Sequence, residues 1–381
     1  MSSRIGLCMI VKNEAHVITR CLDSVRLLID YVLIEDTGSS DGTQDLIRSW
    51  LQQHGIDGEV IDEPWRDFAF NRTHALAALR RRDDVDYALI MDADDTLEYR
   101  ADFDPVAFKG SMSADIYDVM INHGELSYSR PQILRNARPF IYKGVLHEFV
   151  AIPPDAKGRL AAEGFSIRYN SGGARSRDPD KYVRDARILA QALTAETDPF
   201  LRARYTFYLA QSYRDCAERE KALEHYLARA EMGFWQEEVF IALYRSAQLK
   251  EALGYPEDEV ILAYLRASKA QPLRAEALHG ASRFCRNKRR YKEGAEIARR
   301  GISLSVPTGG LFVEAWVYQW GLLDEFAVNA YWSGDYRGSL DACLLMLSAC
   351  ELNEATKRRV VANARAALLK TSVSAISDYS P

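Results

Sequence analysis

The sequence predicts an α/β domain followed by an all-α repeat domain, and three observations carry that expectation. Over residues 5–91 short apolar runs alternate with amphipathic stretches, the pattern of a mostly parallel sheet covered by helices. A glycine- and serine-rich stretch, Ser171-Gly172-Gly173-Ala174-Arg175-Ser176, then breaks the pattern. Beyond Pro179 the apolar spacing is almost entirely helical, with leucines at Leu209, Leu243 and Leu278, 34 and then 35 residues apart. The expected domains are 1–172 and 173–381, and a chain of 381 residues is long enough for both.

In the first domain Ile5–Val11 reads as a buried strand, followed by helical spacing over Glu14–Leu28 (Val17, Ile18, Cys21, Leu22, Val25 and Leu28). Tyr31–Ile34 is the second strand, Asp45–His54 the second helix and Val60-Ile61 a short third strand. Phe68–Leu79 is again helical, and Tyr87–Met91 is the fourth strand. From Asp115 to Tyr169 the apolar runs are short and irregular, which predicts added strands that finish the domain.

The period near 34 residues in the second domain points to stacked helical hairpins of the tetratricopeptide type. Tyr208-Leu209-Ala210-Gln211-Ser212-Tyr213 and Ala330-Tyr331-Trp332-Ser333-Gly334-Asp335-Tyr336 resemble that consensus. Trp235, Trp316, Trp320 and Trp332 are expected to pack between repeats. The basic run Arg283–Lys292 is read as a solvated repeat face rather than an RNA- or membrane-binding surface.

The chain is 48% hydrophobic and 27% charged, with a formal net charge of −5, so no basic field argues for nucleic acid. Its six cysteines are scattered without a CxxC pair, as buried thiols in a reducing cytosol would be. No run approaches the ~20 apolar residues of a membrane span. A cytoplasmic protein is expected, compatible with peripheral work at a membrane surface.

The chemistry gathers at predicted strand ends. Met91-Asp92-Ala93-Asp94-Asp95 closes the fourth strand with three carboxylates in four positions. Such a cluster repels itself unless a cation or sugar hydroxyls compensate it. Hard oxygen ligands with an incomplete protein shell suit Mg²⁺ or Mn²⁺ shared with a pyrophosphate. Two companion segments, Val11-Lys12-Asn13-Glu14 and Asp36-Thr37-Gly38-Ser39-Ser40-Asp41-Gly42-Thr43, each leave a strand and enter a helix. Polar side chains and free backbone N–H groups are expected to face a ligand there.

In this order the three segments resemble glycosyltransferase family 2, whose catalytic domain has the nucleotide-binding GT-A fold. The resemblance covers roughly residues 4–170, and Asp67–Arg72 matches the family segment that ends in a donor-supporting arginine. The family's Arg-Asn pair reads Arg72-Thr73 here. The resemblance implies that Val11, Asn13, Glu14 and Asp36 line a nucleoside pocket and that Asp92 reaches the ribose or sugar. It further implies that Asp94 binds Mn²⁺ or Mg²⁺ and that Arg72 lies near the phosphates. Metal and arginine together would stabilise the leaving nucleoside diphosphate.

Members of the family invert the anomeric centre, so a carboxylate must take the acceptor proton. Many carry a His-Glu pair at the stage of Leu146-His147-Glu148. Glu148 is accordingly the expected base and His147 a second metal ligand or phosphate contact, with Asp95 and Glu98 as rival carboxylates. The implied reaction moves a sugar from a UDP-linked donor to a glycan or lipid-linked acceptor. The alternatives are a peptide or protein acceptor gripped by the repeats, and a degenerate scaffold whose repeats organise a protein partner. A scaffold has no reason to keep clustered carboxylates that cost stability.

Overall fold

The computed structural model describes residues 2–124 and 126–377. It divides into two compact units, Met1–Ala192 and Leu193–Pro381. The glycine- and serine-rich stretch lies inside the first unit, which continues through a 3-10 turn at Ala174–Arg177 into a helix.

The first unit is built on an eight-stranded mixed sheet. Its strands are β1 (Ile5–Val11), β2 (Tyr31–Asp36), β3 (Gly58–Asp62), β4 (Tyr87–Ile90), β5 (Thr96–Tyr99), β6 (Ile116–His123), β7 (Leu126–Arg135) and β10 (Arg159–Arg168). Between β7 and β10, β8 (Ile141–Lys143) and β9 (Phe149–Ala151) pair as a separate antiparallel ribbon. The spatial order is β3-β2-β1-β4-β7-β6-β10-β5. β1 pairs in parallel with both β2 and β4, whereas β4–β7 and β6–β7 are antiparallel. The stretch expected to hold short irregular strands thus supplies two of ten residues. They read as irregular because shifts in register interrupt their alternation, between Pro131 and Ile133 of β7 and between Ala161 and Ser166 of β10.

The helices of this unit are α1 (Ile18–Val25), α2 (Thr43–His54), α3 (Phe68–Leu79), α4 (Pro105–Ser111) and α5 (Lys181–Ala195). Strands β1, β2 and β4 are continuous apolar runs because both faces are covered. Ile5, Leu7 and Met9 join Ile18, Leu22 and Trp50 in one core, while Cys8 and Leu33 on the opposite face join Leu76 and Leu79 of α3. α1 buries Ile18, Cys21, Leu22 and Val25, a helical stripe. Truncating Leu22 to Ala there would cost ~2–5 kcal/mol. Asp67 starts α3 by accepting the Phe70 N–H at 2.8 Å.

The second unit is helical throughout: α6 (Pro199–Asp215), α7 (Arg219–Ala230), α8 (Gln236–Ala252), α9 (Glu257–Ala270), α10 (Glu276–Asn287), α11 (Tyr291–Arg299), α12 (Leu322–Trp332), α13 (Tyr336–Ala349) and α14 (Glu354–Ser377). Leu209, Leu243 and Leu278 are buried in α6, α8 and α10, the first helices of successive hairpins. One apolar core runs from Phe207 to Ala367, as expected of repeats that bury only against neighbours. A long segment after α11, entering α12 through a π-helical turn at Val317–Gly321, departs from the repeat.

Two expectations for this unit need correction. Trp235, Trp316 and Trp332 are exposed, the last at 61%, so they are not buried between repeats, although Trp332 stacks on Tyr291 of α11 at 5.8 Å and Trp316 packs against His279 of α10 at 4.8 Å; Trp320 is partly buried against the core. The basic run is also less free than a solvated face. Arg283 pairs with Glu251, Arg286 with Glu325, and Arg290 with Asp258 and Glu293. The thiols of Cys8, Cys21, Cys285 and Cys343 are buried, as expected, and burial pushes Cys8 up to about 12.

Candidate active site

Strand order reverses at β1, which has β2 on one side and β4 on the other. In open α/β sheets the crevice at the carboxyl ends of such strands is where ligands bind. Val11, Asp36 and Asp92 stand at or just past the ends of β1, β2 and β4.

The loops after β1 and β2 are laced to each other. Asn13 adopts a left-handed backbone (φ 57°), and its N–H donates to Ser39 Oγ at 2.8 Å while its Oδ1 accepts from the Ser40 N–H. The N–H of Glu14 donates to Thr43 Oγ1 and that of Ala15 to Asp41 Oδ2. The backbone donors expected to face a ligand are therefore consumed by the second loop, a correction to the sequence reading. The same bonds hold residues 13–15 out of helical register and delay α1 to Ile18. Val11 is buried, and its carbonyl accepts both the N–H and the hydroxyl of Thr37.

Asp36 is 1% exposed. Its Oδ1 accepts the N–H groups of Gly38 and Ser39 at 2.8 and 2.7 Å, a tight turn that Gly38 permits at φ 105°. Burial opposes its ionisation, but the hydrogen bonds from Ser39 and Gly38 outweigh that and hold the carboxyl below its usual range. Its Oδ2 is buried without a hydrogen-bond partner among the described residues. A buried acceptor left open in this way is what a base or ribose donor would fill.

Arg72, from the first turns of α3, joins two more of the expected residues. Its Nη2 donates to Asp92 Oδ1 at 2.5 Å and its Nε to Glu148 Oε1 at 2.7 Å, with the guanidinium 5.7 Å from the centre of the Tyr142 ring. Desolvation would raise the Asp92 carboxyl, and Arg72 more than offsets it, so Asp92 titrates below the usual carboxylate range. Neighbours that sequence reasoning missed tie the helix that carries this arginine to β2. Buried Asn71 donates to Glu35 Oε1 at 2.8 Å, and His74 Nδ1 lies 2.7 Å from Glu35 Oε2. Thr73, which stands where the family has Asn, accepts the Tyr142 N–H at 2.9 Å and so ties α3 to the ribbon that leads to Glu148.

Asp94 and Asp95 are held by the segment after β10. Gly173 N–H donates to Asp94 Oδ2 at 2.8 Å, and Asn170 N–H to Asp95 Oδ1 at 3.0 Å. Ala174 N–H reaches Glu14 Oε1 at 3.2 Å, and Arg20 Nη2 reaches the Asp94 carbonyl at 2.7 Å. A Cβ on Gly173 would lie 2.9 Å from Asp94 Oδ2, so a side chain there would push the Asp94 carboxylate aside. Burial first, then the neighbouring carboxylates, raise Glu14 and Asp94 and push Asp95 up to about 8. Arg20 was missed because it reads as an exposed residue of α1, and Asn170 and Gly173 because the Gly/Ser stretch reads as a linker. Its one signal was glycine placed where a strand ends near an acidic turn.

An under-compensated carboxylate pair fits a divalent cation in charge and in donor chemistry. Among the described residues no group of three or more His, Cys, Asp or Glu is arranged to hold a metal. His147 is exposed, with a left-handed backbone at φ 53°.

Residues 7–104 match the model of the family "Glycosyl transferase family 2". This segment is a family 2 glycosyltransferase domain. A tetratricopeptide repeat-containing protein of Synechococcus elongatus is 30% identical over 156 residues, 39% of this chain; the chain spans 36% of that relative's length. Among solved structures, S. aureus TarS 1–349 in complex with UDP-GlcNAc is similar over 82% of this chain and 97% of its own, at 14% identity and a TM-score of 0.35. A tetratricopeptide repeat protein from Parabacteroides merdae covers 52% of this chain and 71% of its own, at 15% identity and a TM-score of 0.35. No helix among the described residues is long and apolar enough to cross a membrane.

Proposed function

We propose that the chain transfers a sugar, with inversion, from a UDP-linked donor to a glycan or lipid-linked acceptor, with Mn²⁺ or Mg²⁺ as cofactor. The observation that carries this reading is the single guanidinium of Arg72 spanning Asp92 and Glu148 beside the raised Asp94/Asp95 pair. Asp36, with its open buried oxygen, receives the nucleoside, flanked by Val11, Asn13 and Glu14. Arg72 stands where a leaving diphosphate needs positive charge, and Glu148 takes the acceptor proton. A cation held by Asp94 supplies further charge stabilisation to the diphosphate. His147 is proposed as a second contact for that metal or for a phosphate.

A second reading, a polypeptide acceptor, draws its support from the stacked hairpins of the second unit, since helical repeats present extended binding surfaces. One experiment addresses the donor under either acceptor. A panel of nucleotide sugars, with Mn²⁺ or with EDTA, is followed by thermal shift and by donor hydrolysis. A UDP-sugar that raises the melting temperature only with metal is the expected outcome. Stabilisation by none of the panel, in either condition, would refute the proposal.

A further inference from the structure

The second unit contains a cavity of about 450 Å³ to which the proposed transfer assigns no role. Its size falls within the about 300–1,000 Å³ of ordinary ligand sites. Helices α8, α9 and α10 form three sides, and the irregular segment before α12 forms the fourth with Glu314 and Trp316.

That segment is anchored. Buried Arg274 pairs with Glu276, which is 0% exposed, and with Glu237. Glu237 Oε2 accepts the Leu311 N–H at 2.9 Å, Arg274 donates to the Leu311 carbonyl at 3.1 Å, and Glu276 Oε1 accepts the Glu314 N–H at 3.2 Å. The wall carrying Glu314 and Trp316 is therefore fixed in advance, which lowers the entropy lost on binding.

The charges inside do not balance. Glu251 is satisfied by Arg283 at 2.5 Å and by the Tyr264 hydroxyl at 2.7 Å. Burial pushes the His279 imidazole down to about 4, so it is neutral near pH 7. Glu314 makes no ion pair among the described residues; the Tyr244 hydroxyl donates to it at 3.3 Å, and Arg245 and Arg274, the latter already paired with Glu276 and Glu237, act on it only through space. Burial raises its carboxyl accordingly. Beside it Trp316 is 38% exposed, edge-on to His279 at 4.8 Å. A half-buried carboxylate that no ion pair neutralises, with an indole lining the same cavity, is the chemistry that holds a cation.

We propose that this cavity binds the cationic side chain, lysine or arginine, of a polypeptide docked on the repeat unit, with Glu314 as its counter-ion and Trp316 as its aromatic wall. The reading stands apart from the sugar-transfer proposal and holds whether or not that polypeptide is an acceptor.

The test uses the full chain and isothermal titration with a blocked pentapeptide, lysine at its centre and glycine elsewhere. The control peptide carries norleucine, which has the same stem without the charge. Expected is binding of the lysine peptide at least tenfold tighter than the control, weakened about tenfold by Glu314→Gln and by Trp316→Leu, with melting temperatures unchanged. Absence of binding to the wild type, equal affinity for both peptides, or undiminished affinity in folded Glu314→Gln would each overturn the proposal. If Glu314→Gln is unstable, Trp316→Leu, at an exposed position, carries the same decision.

Discussion

Arg72 Nε lies 2.7 Å from Glu148 Oε1, while the same guanidinium holds Asp92 at 2.5 Å. Residues 20 and 76 positions away in sequence are thereby joined through one side chain at the mouth of the sheet. Arg72 and Glu148 are both nearly buried, so removal of one partner leaves a charge without compensation. Arg72→Ala should destabilise the first unit by roughly 3 kcal/mol. Adding Glu148→Gln should recover part of that loss, with a coupling of about 1 kcal/mol or more in a double-mutant cycle. Additive effects measured by denaturant unfolding would show that the pair is not coupled.

Asp36 makes a separate prediction because its open oxygen is a nucleoside contact and not a metal contact. Asp36→Asn should lower UDP affinity by ~1–3 kcal/mol even with EDTA present. Equal UDP affinity in the two proteins, by titration calorimetry, would remove Asp36 from the pocket.

Glu148 and His147 are distinguishable by kinetics. Loss of a general base costs ~10²–10⁴-fold in turnover without a matching loss of donor binding. Glu148→Gln should therefore bind Mn²⁺–UDP normally and show its deficit in kcat. His147→Ala should weaken metal-dependent donor binding instead. Near-wild-type kcat in Glu148→Gln would pass the role to another carboxylate. Asp95 is a poor substitute, since it is buried and accepts the Asn170 N–H.

The repeat unit has its own pH signature. His279 is 8% exposed and its folded value, about 4, lies below the ordinary 6.5. The unfolded chain therefore binds the extra proton first as pH falls, and stability declines between about pH 6.5 and pH 4. The full loss is on the order of 3 kcal/mol. His279→Gln should flatten that part of the stability profile, read from urea midpoints at pH 7 and pH 5. An unchanged slope would mean that other groups carry the acid sensitivity.

Sequence patterning located β1, α3 and the acidic turn well because each is set by local rules. Ile5–Val11 is an apolar run buried on both faces, and Asp67 marks the start of α3 by capping it. The carboxylates Asp36, Asp92 and Asp94 were legible for the same reason, each following a buried strand. What stayed hidden depends on residues far apart in the chain. Nothing local in Gly173 says that its N–H will meet Asp94, 79 positions away. Nothing in Thr73 says that it will accept from Tyr142. The N–H groups of residues 13–15 looked free for a ligand because their acceptors, Ser39, Asp41 and Thr43, lie on the next loop. Trp316 matched a repeat-core expectation, yet the anchored segment that carries it leaves the repeat and keeps its indole part-exposed against His279 and Trp320.

The most direct measurement is calorimetric titration of UDP, with and without Mn²⁺, into the wild type and Asp94→Asn. Asn preserves an oxygen for the Gly173 N–H, so the variant should fold with stability equal to or slightly above the wild type. Binding should be strong only with Mn²⁺ in the wild type, and that metal-dependent gain should vanish in Asp94→Asn. Undiminished Mn²⁺–UDP binding in the variant, or UDP binding that ignores the metal in both proteins, would contradict a cation shared between Asp94 and the donor diphosphate.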